Sequence, residues 1–221
     1  MSPEIIRLIA ASTLDTLYMV AVATAIGTLI GLPLGVFLAT SKRGELLSAP
    51  LANSVLGIIV NATRSTPFII LTVSIIPFTR LVAGTSIGTT AAIVPLAVAA
   101  TPFIARLVEG SIREVDQGLI EAARAMGASP LQILAKVLVP EALPGIVLGL
   151  TLAIVSLIGF SAIVGVVGGG GLGDLGIRYG YQRFMPDVMA AVVLVLILLV
   201  QGIQSLGDAL SRKLNKRVRH G

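Results

Sequence analysis

From Leu14 to Ala39 the sequence runs almost without charge, and a helix of that length exceeds the roughly 30 Å hydrocarbon layer of a bilayer. Lipid offers no partner to backbone N–H and C=O groups, and a helix pairs them within itself. Further apolar runs follow at about 56–76, 87–105, 146–167 and 188–206. The expectation is an all-α membrane protein in which residues 1–221 form one transmembrane domain of five helices. With 55% hydrophobic and only 12% charged residues, the composition leaves little polar surface for a soluble domain.

Within the runs the small and polar residues carry the information. Residues 1–13 read as a short amphipathic lead-in. In the first run Ala23, Gly27, Gly31 and Gly35 fall four apart, a small-residue stripe expected to pack against another helix of the same subunit. Ser41 to Glu45 is a charged hinge. Arg64 lies about 12 Å into the second run if that begins near Leu56. A charge at that depth either faces protein or water as a functional residue, or snorkels to headgroups and caps carbonyls freed by Pro67; both readings stand. Pro77 closes the second run, residues 77–86 form a short outer turn, and Pro95 and Pro102 are expected to kink the third helix. Gly168 to Gly176 contains a formal G-x-G-x-x-G at Gly171, Gly173 and Gly176, but it follows a membrane span, not a β-strand. A tight re-entrant or extracytoplasmic turn suits it better. Tyr179, Tyr181, Arg183 and Phe184 suit an interfacial belt.

The net charge of +5 could suggest nucleic acid, but the basic residues gather beside hydrophobic runs and aromatics are scarce. There is no cysteine, and the single histidine, His220, cannot build a metal site alone. The first run lacks the marks of a cleaved signal and is expected to remain as a span. With the N-terminus outside and the C-terminus in the cytosol, the inner segments hold eleven basic residues: Lys42, Arg43, Arg106, Arg113, Arg124, Lys136, Arg212, Lys213, Lys216, Arg217 and Arg219. The outer segments hold Arg7, Arg80, Arg178 and Arg183, so the positive-inside rule favours this orientation.

That orientation puts the most polar interior stretch, residues 116–140, in the cytosol. Asp116 is placed to cap a helix with Leu119, Ala122, Ala123 and Met126 on one stripe, ended by Gly127. Ser129-Pro130-Leu131-Gln132 reads as a capping box opening a second short helix, with Leu131, Leu134, Ala135 and Leu138 on one face and Pro140 and Pro144 ending it. A helix-turn-helix with small alanines outside suits docking to a partner protein; packing on its own chain is the alternative.

Glu121-Ala122-Ala123, Gly127 four residues on and Val137-Leu138-Val139-Pro140 resemble the EAA loop of ATP-binding-cassette importer permeases. The family's distal Ile-x-Leu-Pro has valine here in place of both isoleucine and leucine. The resemblance implies a type I importer permease fold in which Glu121, Ala122, Ala123, Met126, Gly127, Ala128 and Pro140 form a coupling helix docked on an ATPase. Arg64-Ser-Thr-Pro-Phe-Ile-Ile-Leu, Ile76-Pro-Phe-Thr-Arg80, Gly170-Gly-Leu-Gly173 and Tyr179-Gly-Tyr181 look like the methionine-importer branch of that family. It implies a homodimer enclosing the pathway, two ATPase subunits and an extracytoplasmic methionine-binding protein, with ATP and magnesium on the ATPase and no cofactor in this chain.

None of the four lysines follows a glycine, so no phosphate-binding loop of the G-K-[ST] type is present, and ATP must be handled elsewhere. Asn61, Arg64, Ser65, Ser156 and Ser161 are candidates to line a pathway, or else satisfy helix contacts. A permease for another small solute would share the loop. An ion-coupled transporter should show internal repeats or intramembrane acids, and neither is clear. An intramembrane hydrolase lacks a G-x-S-x-G motif and an intramembrane histidine.

Overall fold

The computed structural model describes residues 2–215; His220, Lys216, Arg217 and Arg219 lie outside them. Helix α1, Pro3–Thr40, absorbs the lead-in expected at residues 1–13. Nothing there breaks a helix: Ser2 caps it, Pro3 occupies the first turn where no N–H is required, and Glu4 faces the positive end of the dipole. The other elements are α2 (Pro50–Ser65), α3 (Phe68–Ser74), α4 (Ile76–Ala83), α5 (Thr89–Arg113), α6 (Gln117–Ala125), α7 (Pro130–Ile133), α8 (Val139–Val164), α9 (Gly171–Leu175) and α10 (Pro186–Leu214).

Helix α5 is the centre of the bundle. In its most apolar stretch 61% of residues are buried against the chain itself, against 11% for α10, whose Leu194, Ile197 and Leu198 face outward as lipid-facing residues should. The α1 glycines explain the position of α5. A Cβ built on Gly27 would lie 2.7 Å from the Ala100 Cβ, on Gly31 2.6 Å from the Thr101 carbonyl oxygen, and on Gly35 2.4 Å from the Ala105 carbonyl oxygen. The stripe read in the sequence therefore brings two backbones of one subunit together, where packing substitutes for the hydrophobic drive that lipid removes. Pro95 and Pro102 sit inside the unbroken helix α5.

Among the described residues four helical stretches are long and apolar enough to cross a membrane, and a fifth crossing exists if α2 and α3 count as one span bent by 104°. The expected straight span over 56–76 is thus corrected on two points. The break falls at Thr66-Pro67, because Pro67 has no N–H and drives Thr66 to an extended φ/ψ of −83° and 125°. Pro77 closes nothing; it occupies the first turn of α4, which replaces the expected outer turn and ends at Gly84.

A second correction concerns Pro140 and Pro144. Helix α7 passes through a π-type segment, Leu134–Leu138, directly into α8, and the helix runs on from Pro130 until Val167 and Gly168 leave helical φ/ψ. Widening the turn before Pro140 spares the carbonyl that its ring would strike, so the proline is carried without a break.

The glycine-rich segment folds back as expected for a tight turn. Gly173 lies so close to α8 that a Cβ would meet the Ala162 Cα at 2.4 Å, and the Leu172 N–H donates to the Thr16 hydroxyl on α1 at 2.9 Å. Beyond it the Arg183 guanidinium lies 4.4 Å from the Tyr179 ring centroid, while Tyr181 and Phe184 are exposed.

At one end of α5 the buried Glu109 accepts from Arg106 and, at 2.7 Å, from Arg113. Arg106 also donates to the Asn61 side-chain oxygen at 2.9 Å and the Gly57 carbonyl at 3.2 Å on α2. Arg113 reaches the Leu38 carbonyl at 3.4 Å, which also accepts from Asn53 at 2.9 Å. An unpaired carbonyl in the last turn of α1 is thereby satisfied and three helices are joined. Replacing Glu109 with alanine leaves two adjacent guanidinium groups without their shared acid. Both arginines are partly solvated, so the expected cost is about 2 kcal/mol, below that of a fully buried pair. A thermal melt of the purified chain in detergent should show the midpoint several degrees lower; an unchanged midpoint would mean the network is solvated and idle.

Candidate functional site

Helix α6 begins at Asp116, whose carboxylate accepts from the Gly118 N–H at 2.7 Å. It ends in a Schellman motif: the Gly127 N–H donates to the Arg124 carbonyl at 2.9 Å and the Ala128 N–H to the Ala123 carbonyl at 3.1 Å. Gly127 has φ of +78°, the left-handed region that a Cβ disfavours, with open space around it. The chain then re-enters a helix through a complete capping box. The Gln132 N–H donates to the Ser129 hydroxyl at 3.4 Å, and the Ser129 N–H to the Gln132 side-chain oxygen at 2.9 Å.

The faces are arranged differently from the stripe read in the sequence. Ile120 and Ala123 on α6, with Ile133 and Leu138 beyond the turn, are the buried residues and join the main core. Of the expected stripe only Ala123 points inward; Leu119 and Ala122 are exposed, and Met126 is 81% exposed. Of the face expected on the second helix, Leu138 is buried while Leu131 is 67% exposed. Two large apolar side chains at the tip of a capped turn, beside exposed Glu121, form a surface that the chain leaves uncovered. Gly127 and Ala128 lie between Met126 and Leu131, with Ala128 half-buried, whereas Pro140 stands at the start of α8 beyond the π-type segment.

The five pathway candidates fall on two helices. Asn61, Arg64 and Ser65 lie in the last turns of α2, and Ser156 and Ser161 on α8. Four of them have partners within the chain. The hydroxyl of Ser65 donates to the Asn61 carbonyl at 2.8 Å, Ser156 to Leu152 at 2.9 Å, and the buried Ser161 to Ile158 at 2.7 Å. Asn61 is held by Arg106. Arg64 differs: it is exposed and stands about 21 Å along α2 from Pro50, farther from the helix start than expected because the helix begins before Leu56. Its guanidinium lies over the Phe103 ring, 6.0 Å from the centroid.

Two groups of residues were not singled out from the sequence. The Arg106–Glu109–Arg113 cluster had a visible signal, opposite charges at i, i+3 and i+4 on one helix. Phe68, Phe103 and Phe160 had none, since three separate helices bring them together; Phe68 and Phe160 stack with centroids 4.5 Å apart. Among the described residues no group of three or more His, Cys, Asp or Glu side chains could hold a metal.

Comparison with known proteins fits this geometry. The family described as the inner membrane component of binding-protein-dependent transport systems matches residues 31–220. The chain is 55% identical over 210 residues to the probable D-methionine transport system permease protein MetI of Vibrio cholerae serotype O1, covering 95% of this chain and 93% of that one. The protein of the same description from Pasteurella multocida is 48% identical over 217 residues, 98% of this chain and 100% of its own. A solved chain of the MetNI methionine ABC transporter in inward-facing conformations superposes with a TM-score of 0.95 at 48% identity, covering 98% of this chain and 100% of that chain. A chain of an amino acid ABC transporter crystallised with histidines, 22% identical and covering 94% of both chains, shares the fold at a TM-score of 0.78.

Proposed function

We propose that this chain, which belongs to the family of binding-protein-dependent transport system inner membrane components, is the permease subunit of an ATP-driven methionine importer. The observation that carries the substrate is the likeness over 98% of its length to a permease of a methionine transporter. Two copies enclose the pathway, and each presents the turn between α6 and α7 to one ATPase subunit. ATP and magnesium reside on those ATPases, and an extracytoplasmic methionine-binding protein delivers the solute. The N-terminus faces outward and the C-terminus the cytosol, a reading supported by the bias of basic residues. Closure of the ATPases moves the docked turns and tips the crossings between inward- and outward-facing states.

The test is co-purification with a candidate ATPase, reconstitution, and uptake of labelled methionine driven by ATP and supplied through the binding protein. Glu121→Lys reverses a charge on the exposed face of α6, and Gly127→Pro cannot adopt the φ of +78°. Either is expected to reduce uptake at least tenfold while membrane insertion persists. Full uptake by both variants would refute the coupling role. ATP-driven uptake of a different solute, with none of methionine, would remove the substrate.

A further inference from the structure

Among the described residues Arg64 makes no hydrogen bond or ion pair; it lies near the break of the bent α2–α3 pair, its side chain is exposed on this chain, and its guanidinium stands over the Phe103 ring. It borders a cavity of about 320 Å³ walled by Phe68, Phe103 and Phe160 together with Leu71. That volume is at the low end for small-ligand pockets, and the lining is of the usual kind: mostly apolar, with Arg64, Thr63 and Thr66 as its polar members. An exposed guanidinium with no partner on its own chain, at the edge of an aromatic wall, is free to take a planar anion in a bidentate pair. The α2 break supplies the complementary charge. The Thr66 N–H donates to the Thr63 carbonyl at 3.3 Å and the Thr66 hydroxyl to the Ala62 carbonyl at 3.2 Å, which leaves the Arg64 and Ser65 carbonyls at the end of α2 without helical donors and able to accept from an ammonium group. The rings are suited to a long apolar or thioether chain, since sulfur packs favourably on aromatic edges.

We propose that Arg64 and the three phenylalanines form an intramembrane binding site for a free α-amino acid with an unbranched apolar or thioether side chain. Its carboxylate lies on Arg64 and its side chain among Phe68, Phe103 and Phe160. This rests on the importer reading above and adds to it where the solute is recognised within the permease. A carboxylate on the Arg64 guanidinium orients the solute, and the rings select its side chain.

The test uses photo-methionine, a diazirine analogue, on the reconstituted permease–ATPase complex, with labelled peptides mapped on this chain. Labelling of peptides containing Phe68, Phe103 or Phe160 should be competed by methionine and at least tenfold less well by methioninol, which lacks the carboxylate. In Arg64→Gln the labelling should fall by about tenfold or more, and what remains should be competed equally by both compounds, whereas Arg64→Lys should keep part of the discrimination. Mere structural damage would weaken both competitors alike and leave their ratio intact, and that ratio in Arg64→Gln would overturn the site. So would labelling confined to other peptides. In either case ATP-driven methionine uptake by the wild-type complex would leave the importer reading standing. A wild-type complex that transports another solute but not methionine would overturn the substrate reading, and with it the ligand class assigned to the pocket.

Discussion

A chain in which Met126 and Leu131 are both replaced by aspartate should insert, fold and dimerise, yet fail to co-purify with its ATPase. Both side chains are mostly exposed, so their loss removes nothing from the core; the α6–α7 turn is held instead by Ile120, Ala123, Ile133 and the capping box. Interfaces concentrate their energy in a few apolar anchors, and truncating such an anchor costs roughly 2 kcal/mol or more. Two charges placed where a groove must desolvate them should cost more, and a hundredfold weaker association is the expected scale. Pull-down with the tagged ATPase measures this, with a thermal melt of the variant alone as control. Undiminished complex formation by a folded variant would show that the exposed tip is not the contact.

The second large effect is expected in the seam between α1 and α5. Gly35→Leu would push a side chain into the Ala105 carbonyl and the Val108 Cβ, which stand 2.4 and 2.7 Å from where its Cβ must go. The obstacle at Ala105 is helix backbone, which cannot rotate aside as a side chain would, so the cost should be at least about 3 kcal/mol, the upper part of the range for overpacking. Against a stability of roughly 5–15 kcal/mol for a typical domain, much of the variant should misassemble or aggregate on extraction. Gly159→Ala is the control: that glycine is on α8 with nothing within 4 Å of a built Cβ. It should cost nothing and can strengthen the helix by about 0.5–1 kcal/mol. Fluorescence-detected size exclusion of the two variants reads the difference, and a monodisperse Gly35→Leu would mean that α1 and α5 can separate without loss.

What could be read from the sequence was local. Asp116, Gly127 and the Ser129–Gln132 box are each defined by a spacing of a few residues, and each is found in the expected geometry. The glycine stripe was legible because a four-residue period places small residues on one helix face. The failures share a cause, since a proline's effect depends on the turn around it. Pro67 breaks a span, Pro102 is carried inside α5, and Pro140 is accommodated by a widened turn, yet all three read as the same residue type in an apolar run. The stripe on α6 left a different question open. Periodicity shows that Leu119, Ala122 and Met126 share a face, but not whether that face belongs to this chain's core or to a neighbour. The aromatic pocket was invisible because its walls come from α3, α5 and α8.

The widened turn at Leu134–Leu138 has a mechanical consequence. The π-type turn keeps Pro130 and Phe160 on one unbroken helical stretch, about 45 Å apart along its axis. Swinging that stretch by about ten degrees around its Pro130 end would carry the Phe160 ring roughly 8 Å, more than its present 4.5 Å separation from Phe68. If the proposed stroke arrives at the α6–α7 turn, it would separate the two rings within the same movement, so that fuel consumption and the proposed grip on the solute would share a single shaft.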